Sequence, residues 1–432
     1  MYAKSISMYG FKCFGKAEVG FLYPGAPGNE DLKHPNINLI LGDNGGGKSS
    51  VLRAVAIAAL APALINGGFV PYRLVQRLPD GTVAKNSLLK LIGVLDQAEQ
   101  QSIDRERKTT KSAKSRSAGS NDEREFLARL AANPRGQLDQ LSLKSTPQNP
   151  ISDLIHDDFS PAFFVVGYGA TRRVETSSFS PSSEDKRRGR RYQRVASMFE
   201  DHVALRPMQT WFPRLDHETQ RAVIQLLRKA LPDNVSFAGQ FEDDEFIYNF
   251  DGVPMPFPAL SDGYKAFIGW VTDLIGHMVS VSQGQSLHDL SGIVLVDEID
   301  LHLHPSWQRD VIARLSKAFP KFQFVMTSHS PLVAASVQSA NVIVTGTGPD
   351  GHPTLERMRE SLYGRSVEAV LMSPYFGLDS ARPYEARRAT QALAAKVEQT
   401  PGGDINAAED FLKQLANPIE GLKGTSGARN RS

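Results

Sequence analysis

The stretch NINLILGDNGGGKSSVLRAVAIAALA, residues 36–61, decides the reading of the chain. Its first part, NINLILG (36–42), is a compact apolar run that predicts a buried strand. A glycine-rich turn follows, and SSVLRAVAIAALA continues with apolar residues at helical spacing. Gly42 to Ser49 match G-x-x-x-x-G-K-[ST] in the setting that pattern requires, after a strand and before a helix. Phosphates are bulky anions, and glycines let successive backbone N–H groups close around them beneath a helix N-terminus. Asn44, Gly45, Gly46, Gly47, Lys48, Ser49 and Ser50 are therefore the candidate phosphate-binding residues. Lys48 is expected to reach the β- and γ-phosphates, and Ser49 to hold Mg²⁺ through its hydroxyl. The bland alternative is a glycine turn with a chance Lys-Ser.

Downstream, two more apolar runs end in polar residues. VLVDEID (294–300) places Asp297 directly after the apolar run, where a carboxylate can bind the water shell of Mg²⁺. Glu298 follows and can polarise an attacking water as general base. TSHSP (327–331) ends the next run, and its His329 can contact a γ-phosphate. LSDGYK (260–265) offers Ser261 as N-cap of the following helix and Gly263 as a point of close backbone approach. It reads either as a capped helix or as a second anion-binding helix start presented to the phosphate of another subunit.

Around these motifs, residues 4–22 alternate apolar and polar positions between glycines and predict short antiparallel strands. PAFFVVGYGATR (161–172), GIVLVDEID (292–300), KFQFVMTSHSP (321–331) and NVIVT (341–345) predict further buried strands, and 241–257 a hairpin. The helix opened by LSDGYK carries apolar residues at 264, 267, 268, 271, 274, 275 and 278, a single face. Apolar strands alternating with helices predict an α/β fold, a mostly parallel sheet flanked by helices. An N-terminal antiparallel element and a helical insertion complete the expected architecture. The expected partition is 1–70 and 241–376 for the two parts of the head, 71–240 for the insertion, and 377–432 for terminal helices and a disordered tail.

Composition sets bounds. The chain has 432 residues, 49 Lys and Arg against 47 Asp and Glu, and a formal net charge of +2. That balance excludes coating nucleic acid by bulk charge but leaves room for a local patch. One cysteine, Cys13, excludes an intrachain disulfide and a cysteine zinc cluster. The apolar stretch 50–70 is broken by Arg53, Pro62, Asn66 and two glycines, and is expected not to span a bilayer. The N-terminus lacks the apolar core of a signal peptide, so a cytoplasmic setting with no membrane partner is expected. Two polar segments are basic. Residues 105–116 carry six Lys or Arg against one acid, and KRRGRRYQR (186–194) carries six in nine. They read as solvated loops or as a DNA-backbone contact through Lys186 to Arg194, with Arg187, Arg188, Arg190 and Arg191 as its test positions. HLH (302–304) beside Asp297 and Asp300 admits a separate metal site, or a loop with no metal of its own.

In order, GDNGGGKSS, LSDGYK, VLVDEID, DLHLHPSWQ and TSHSP resemble the Walker A, signature, Walker B, D-loop and switch-histidine motifs of ABC-type ATPase heads. DEIDLHLHPSWQ followed by TSHSP is similar to the RecF-like, SMC-like and overcoming-lysogenization-defect group. GYGATR (167–172) and YGRSVEAVLMSPYFGLDSAR (363–382) resemble the stand-alone AAA-family ATPases of bacterial defence operons, such as Septu PtuA-like proteins. The resemblance implies ATP and Mg²⁺ as ligands and a homodimer or higher oligomer through a nucleotide sandwich. Lys48, Ser49, Asp297, Glu298 and His329 would come from one protomer, Ser261 and Gly263 from the other, with Asp300 on the loop crossing the dimer axis. It also implies a separate nuclease or toxin effector. Two other outputs fit the same motifs: a RecF-like DNA repair or recombination ATPase, and an ATP-bound scaffold with negligible turnover. The pattern departs from the family at Tyr168 to Arg172, which stand where a Q-loop glutamine is expected.

Overall fold

The computed structural model describes residues 1–78, 80–97, 99–101, 103, 123–133, 136–142, 151–152, 157–174, 188–349, 351–376 and 378. Two β-strands open the chain, β1 (Tyr2–Phe11) and β2 (Phe14–Gly20), paired antiparallel through a turn at Lys12. Strand β3 (Ile37–Leu41) is buried along its whole length and leads through the glycine loop into helix α1 (Lys48–Asn66). Strands β4 (Asn86–Val94), β5 (Glu123–Ala131) and β6 (Gln140–Ser142) then join β1 and β2 in an antiparallel sheet of order β2-β1-β4-β5-β6. The expected boundary at residue 70 therefore runs through a sheet, since β1 pairs directly with β4.

Within the expected helical insertion 71–240, the described residues up to 142 carry the strands β4, β5 and β6, with helical residues at 97, 99–101 and 103 between β4 and β5. The reason lies in period. In β4, Ser87, Leu89, Leu91 and Gly93 alternate inward against outward Leu88 and Lys90, a spacing of two that a helix cannot bury. The polar stretch 97–125 ends in β5; its residues 104–122 lie outside the described set, as do 175–187, 379–432 and with them the expected C-terminal helices and tail.

After β7 (Val165–Tyr168) come a two-residue parallel pair, β8 (Arg173–Val174) and β9 (Ala204–Leu205), and helix α2 (His217–Ala230), capped by Asp216. A three-stranded meander follows, β10 (Val235–Glu242), β11 (Glu245–Phe250) and β12 (Val253–Pro256), one strand more than the expected hairpin. Helix α3 (Asp262–Ser282) is buried without interruption from Phe267 to Gly276, including Trp270, so its apolar surface is wider than a single face. Strand β13 (Gly292–Val296), helix α4 (Pro305–Ala318), strand β14 (Phe322–Thr327) and strands β15 (Val342–Thr347) and β16 (Pro353–Arg357) complete the head.

The second sheet has the order β16-β15-β3-β14-β13-β7. Five neighbouring strands run parallel and only the edge strand β16 is antiparallel. Helix α1 packs against strands of both sheets, and fourteen of its residues are buried. By length and composition α1 is apolar enough to cross a membrane, despite the breaks read in the sequence; its apolar length is spent between the sheets. The core holds α1 between Ile6, Met8, Leu89 and Phe126 of one sheet and Ile40, Val165, Leu295 and Val325 of the other.

Parallel strands carry their C-terminal ends to one edge. Thr327 pairs with Ile40, Val296 with Met326 and with Tyr168. The segments that follow β3, β14, β13 and β7 therefore open side by side, the usual ligand-binding edge of such a sheet. Residues Met1–Arg365 form one compact unit. A second, Ser366–Ser432, is described only in its first part, a short helix Val367–Leu371 whose cap, Ser366, accepts from the Ala369 amide at 3.3 Å.

Candidate nucleotide site

At that edge a cavity of about 580 Å³ is lined by Asn44, Gly45, Gly47, Lys48, Ser49 and Ser50 of the loop after β3. Asp297 and Glu298 after β13, and His329 after β14, line the same cavity. Residues some 250 and 280 positions from the glycine loop are thus its immediate neighbours.

The loop is held in shape by its own backbone. Gly47 has φ +90°, and a Cβ there would stand 2.5 Å from the ring of Phe14 and 2.7 Å from the Cys13 sulfur, so only glycine fits. Lys48 is 6% exposed and donates from Nζ to the carbonyls of Gly42 and Asp43, both at 2.8 Å. Burial lowers its pKa, and the carboxylates of Asp297 and Glu298 oppose that. Gly46 is not on the cavity wall. Its N–H donates to Asp43, and the space a Cβ would need is taken by Thr345.

A polar clamp sets the two acidic residues. The Thr327 hydroxyl donates to Asp297 Oδ1 at 2.6 Å and accepts from the Glu298 amide at 2.7 Å. Glu298 has φ +50°, a left-handed conformation that side chains other than glycine adopt at a cost. From beneath, the buried guanidinium of Arg172 donates from Nη2 to the main-chain carbonyls of Asp297, at 2.6 Å, and Glu298. Burial pushes the Arg172 pKa down to about 10, against the opposing pull of Asp297, Asp300 and Glu298. Asp297 Oδ2 has no protein partner among the described residues. Ser49 and Asp297 line the same cavity, and a hydroxyl with a carboxylate is a donor pair of the kind Mg²⁺ takes.

Asp300 lies behind this wall. Its Oδ1 accepts from the His329 amide at 3.3 Å, and its carbonyl from Gln308 Nε2 at 3.4 Å. Gln308 also receives the Ser330 hydroxyl at 2.6 Å, so the segments bearing Asp300 and His329 are tied together. The separate metal reading of HLH does not survive. His304 is the N-cap of α4, its Nδ1 against the Ser306 amide and hydroxyl. Among the described residues no three His, Cys, Asp or Glu are grouped to hold a metal.

Ser261 and Gly263 do not join the cavity. Ser261 occupies the N-cap position of α3 but makes no side-chain cap bond, and it is exposed. Gly263 packs against the loop after β13: a Cβ would stand 2.2 Å from the His302 carbonyl. Tyr264 and Phe267 meet Trp307 edge-on, which fixes the start of α3 on α4.

Sequence reading missed five further lining residues, Lys12, Cys13, Arg73, Val75 and Arg77. Arg77 is held by Asp139 at 2.9 Å, whose other oxygen accepts from the Leu74 and Val75 amides. No local pattern marks these residues; tertiary folding alone brings the β1–β2 turn and residues 73–77 to the glycine loop. The cavity lining therefore combines four cationic side chains, Lys12, Lys48, Arg73 and Arg77, with the acids Asp297 and Glu298.

The family model described as "AAA domain, putative AbiEii toxin, Type IV TA system" matches residues 37–335. The chain belongs to this family. Its mostly parallel sheet with flanking helices is the α/β fold of an ABC-type AAA ATPase. Among curated proteins it is similar to Septu protein PtuA of Bacillus mycoides (strain KBAB4), 24% identical over 382 residues, 88% of this chain and 46% of that protein. The Escherichia coli retron Ec83 probable ATPase is 39% identical over 106 residues, 24% of this chain and 19% of that one. The chain spans less than half the length of either relative. A solved SMC head bound to the C-winged helix domain of ScpA aligns at 16% identity with a TM-score of 0.48, over 83% of this chain and 98% of that one.

Proposed function

We propose that the chain binds ATP with Mg²⁺ in the Lys48 cavity and hydrolyses it as a nucleotide-driven dimer switch. The observation that carries this reading is the shared cavity of the glycine loop, Asp297, Glu298 and His329, from which Ser261 and Gly263 are missing. Lys48 and the loop amides bind and orient the phosphates. Ser49 and Asp297 would hold Mg²⁺, which when bound neutralises developing phosphate charge. Glu298 takes the proton of the attacking water, and His329 reports the γ-phosphate to Asp300 through its own amide. A second protomer supplies Ser261 and Gly263 to close the site.

The biological output we favour is bacterial anti-phage defence from the cytoplasm, with a separately encoded nuclease or toxin as effector. It is supported by the similarity to Septu protein PtuA and the retron Ec83 probable ATPase. Glu298→Gln tests the mechanism. It is expected to abolish steady-state phosphate release while keeping or strengthening ATP-driven dimerisation in sedimentation velocity. Ordinary turnover by that variant would sink the mechanism. Negligible turnover by the unaltered protein would turn the reading toward an ATP-bound scaffold.

A further inference from the structure

A second cavity, of about 570 Å³, shares no residue with the nucleotide cavity. It is closed by the end of β7, the helical turn Arg190–Gln193, the segment around β9 and the middle of α3. Four arginines line it, Arg188, Arg190, Arg194 and Arg206, against two acids, Asp158 and Asp273. Volume and lining suit a ligand of nucleotide size.

Arg188 is already paired with Glu200 at 2.5 Å, while Arg190, Arg194 and Arg206 form no ion pair with either acid among the described residues. Asp273 is 3% exposed and its oxygens are already engaged. Oδ1 accepts from the Arg206 amide at 2.8 Å; Oδ2 accepts from the Tyr168 hydroxyl at 2.8 Å and faces His277 Nε2 at 3.3 Å. Arg194 is 4% exposed, donates from Nη2 to the Asp158 carbonyl at 3.1 Å and lies over the Phe164 ring at 5.2 Å; its Nη1 is buried without a hydrogen-bond partner. The half-buried Arg206 side chain makes no ion pair among the described residues. At the rim, the Arg190 guanidinium stacks over the Phe159 ring at 4.3 Å, and Phe159 is 47% exposed.

Guanidinium forks match phosphate oxygens, and an arginine–aromatic stack offers a flat face to a planar ring. We propose that this cavity is a second ligand site, distinct from the ATP pocket, for a phosphate-bearing ligand carrying a planar base. A free nucleotide and the phosphorylated end of a nucleic-acid strand share that chemistry. The proposal rests on neither hydrolysis nor dimerisation.

The test uses the full chain carrying Lys48→Ala, so that the first pocket does not dominate binding. Calorimetric titration compares adenosine monophosphate, pyrophosphate, and one short oligonucleotide with either a 5′-phosphate or a 5′-hydroxyl. Adding Arg206→Ala is expected to weaken binding of the preferred probe about tenfold or more, the scale of a lost charge-assisted pair. Arg206→Lys, which keeps the charge, serves as a second variant should alanine unfold the chain, and is expected to bind at an intermediate level. Preference for the monophosphate identifies a free nucleotide as the source; a preference for the 5′-phosphorylated strand over the hydroxyl strand identifies a strand end. No binding of any probe by the Lys48→Ala protein, or binding that neither Arg206 variant alters, overturns the proposal.

Discussion

Arg172 Nη2 hydrogen-bonds the main-chain carbonyl of Asp297 at 2.6 Å, and the same nitrogen donates to Glu298. A buried guanidinium thus holds the turn on which both acidic residues ride through its main-chain carbonyls. Arg172 sits in the segment where the family pattern has a glutamine, and it is not on the cavity wall. We propose that it acts as a positioning residue for the two acids.

Arg172→Met should therefore lower kcat by about 10- to 100-fold, the range found when supporting partners of reacting groups are removed. KM for ATP should change little, because the phosphate loop is untouched. Arg172→Lys should recover part of kcat, since it keeps the charge but forgoes the Nε bond to Gly169. Equal losses in kcat and in nucleotide affinity would contradict the positioning role.

Thr327→Val removes the hydroxyl that links Asp297 Oδ1 to the Glu298 amide. Both partners lose a buried bond, a cost of about 1–3 kcal/mol. Urea unfolding should register that loss, and phosphate release should fall with it. Thr327→Ser, which keeps the hydroxyl, should retain most of both.

Composite sites predict complementation between inactive protomers. Lys48→Ala and Ser261→Arg chains should each be inactive alone. Mixed one to one, half the dimers are heterodimers with one intact site in two, so about a quarter of normal turnover should return. A mixture as inactive as its parts would argue that each protomer does not borrow Ser261 from the other.

The basic segment divides under the structure. Arg191 is 2% exposed and donates to the carbonyls of Ala162, Phe163 and Asp157, so it is a buried staple and not a DNA contact. Arg188 is paired with Glu200 at 2.5 Å, while Lys186 and Arg187 lie outside the described residues. Arg191→Ala should destabilise the fold by about 3 kcal/mol or more, as removal of a buried network partner does. Arg190→Ala, at an exposed position, should leave the melting temperature nearly unchanged. Thermal melts of the two variants compare them directly.

Several features were legible without the fold. NINLILGDNGGGKSS announces strand, loop and helix, because glycine and apolar spacing act over a few residues. The strand ends at Asp297 and His329 were legible for the same reason, as was Ser261 at the start of α3. Local pattern did not show the strands β4 and β5 inside the expected helical insertion 71–240, because their alternation of two is short-range while the pairing of β4 with β1 and of β5 with β4 is long-range. It also read the arginines of 188–194 as one charged run, because sequence shows charge but not burial.

Tertiary structure decided the rest. The parallel order β3-β14-β13-β7 carries four distant strand ends to one edge, which makes a phosphate loop, two acids and a histidine into one cavity. Lys12, Arg73 and Arg77 reach the same cavity only through the packing of the antiparallel sheet on α1. Arg172 becomes the support of Asp297 and Glu298 only because β7 lies beside β13. Strand and loop character follow from neighbours in the chain, whereas a site is a matter of neighbours in space, and those are set by how the two sheets close over one buried helix.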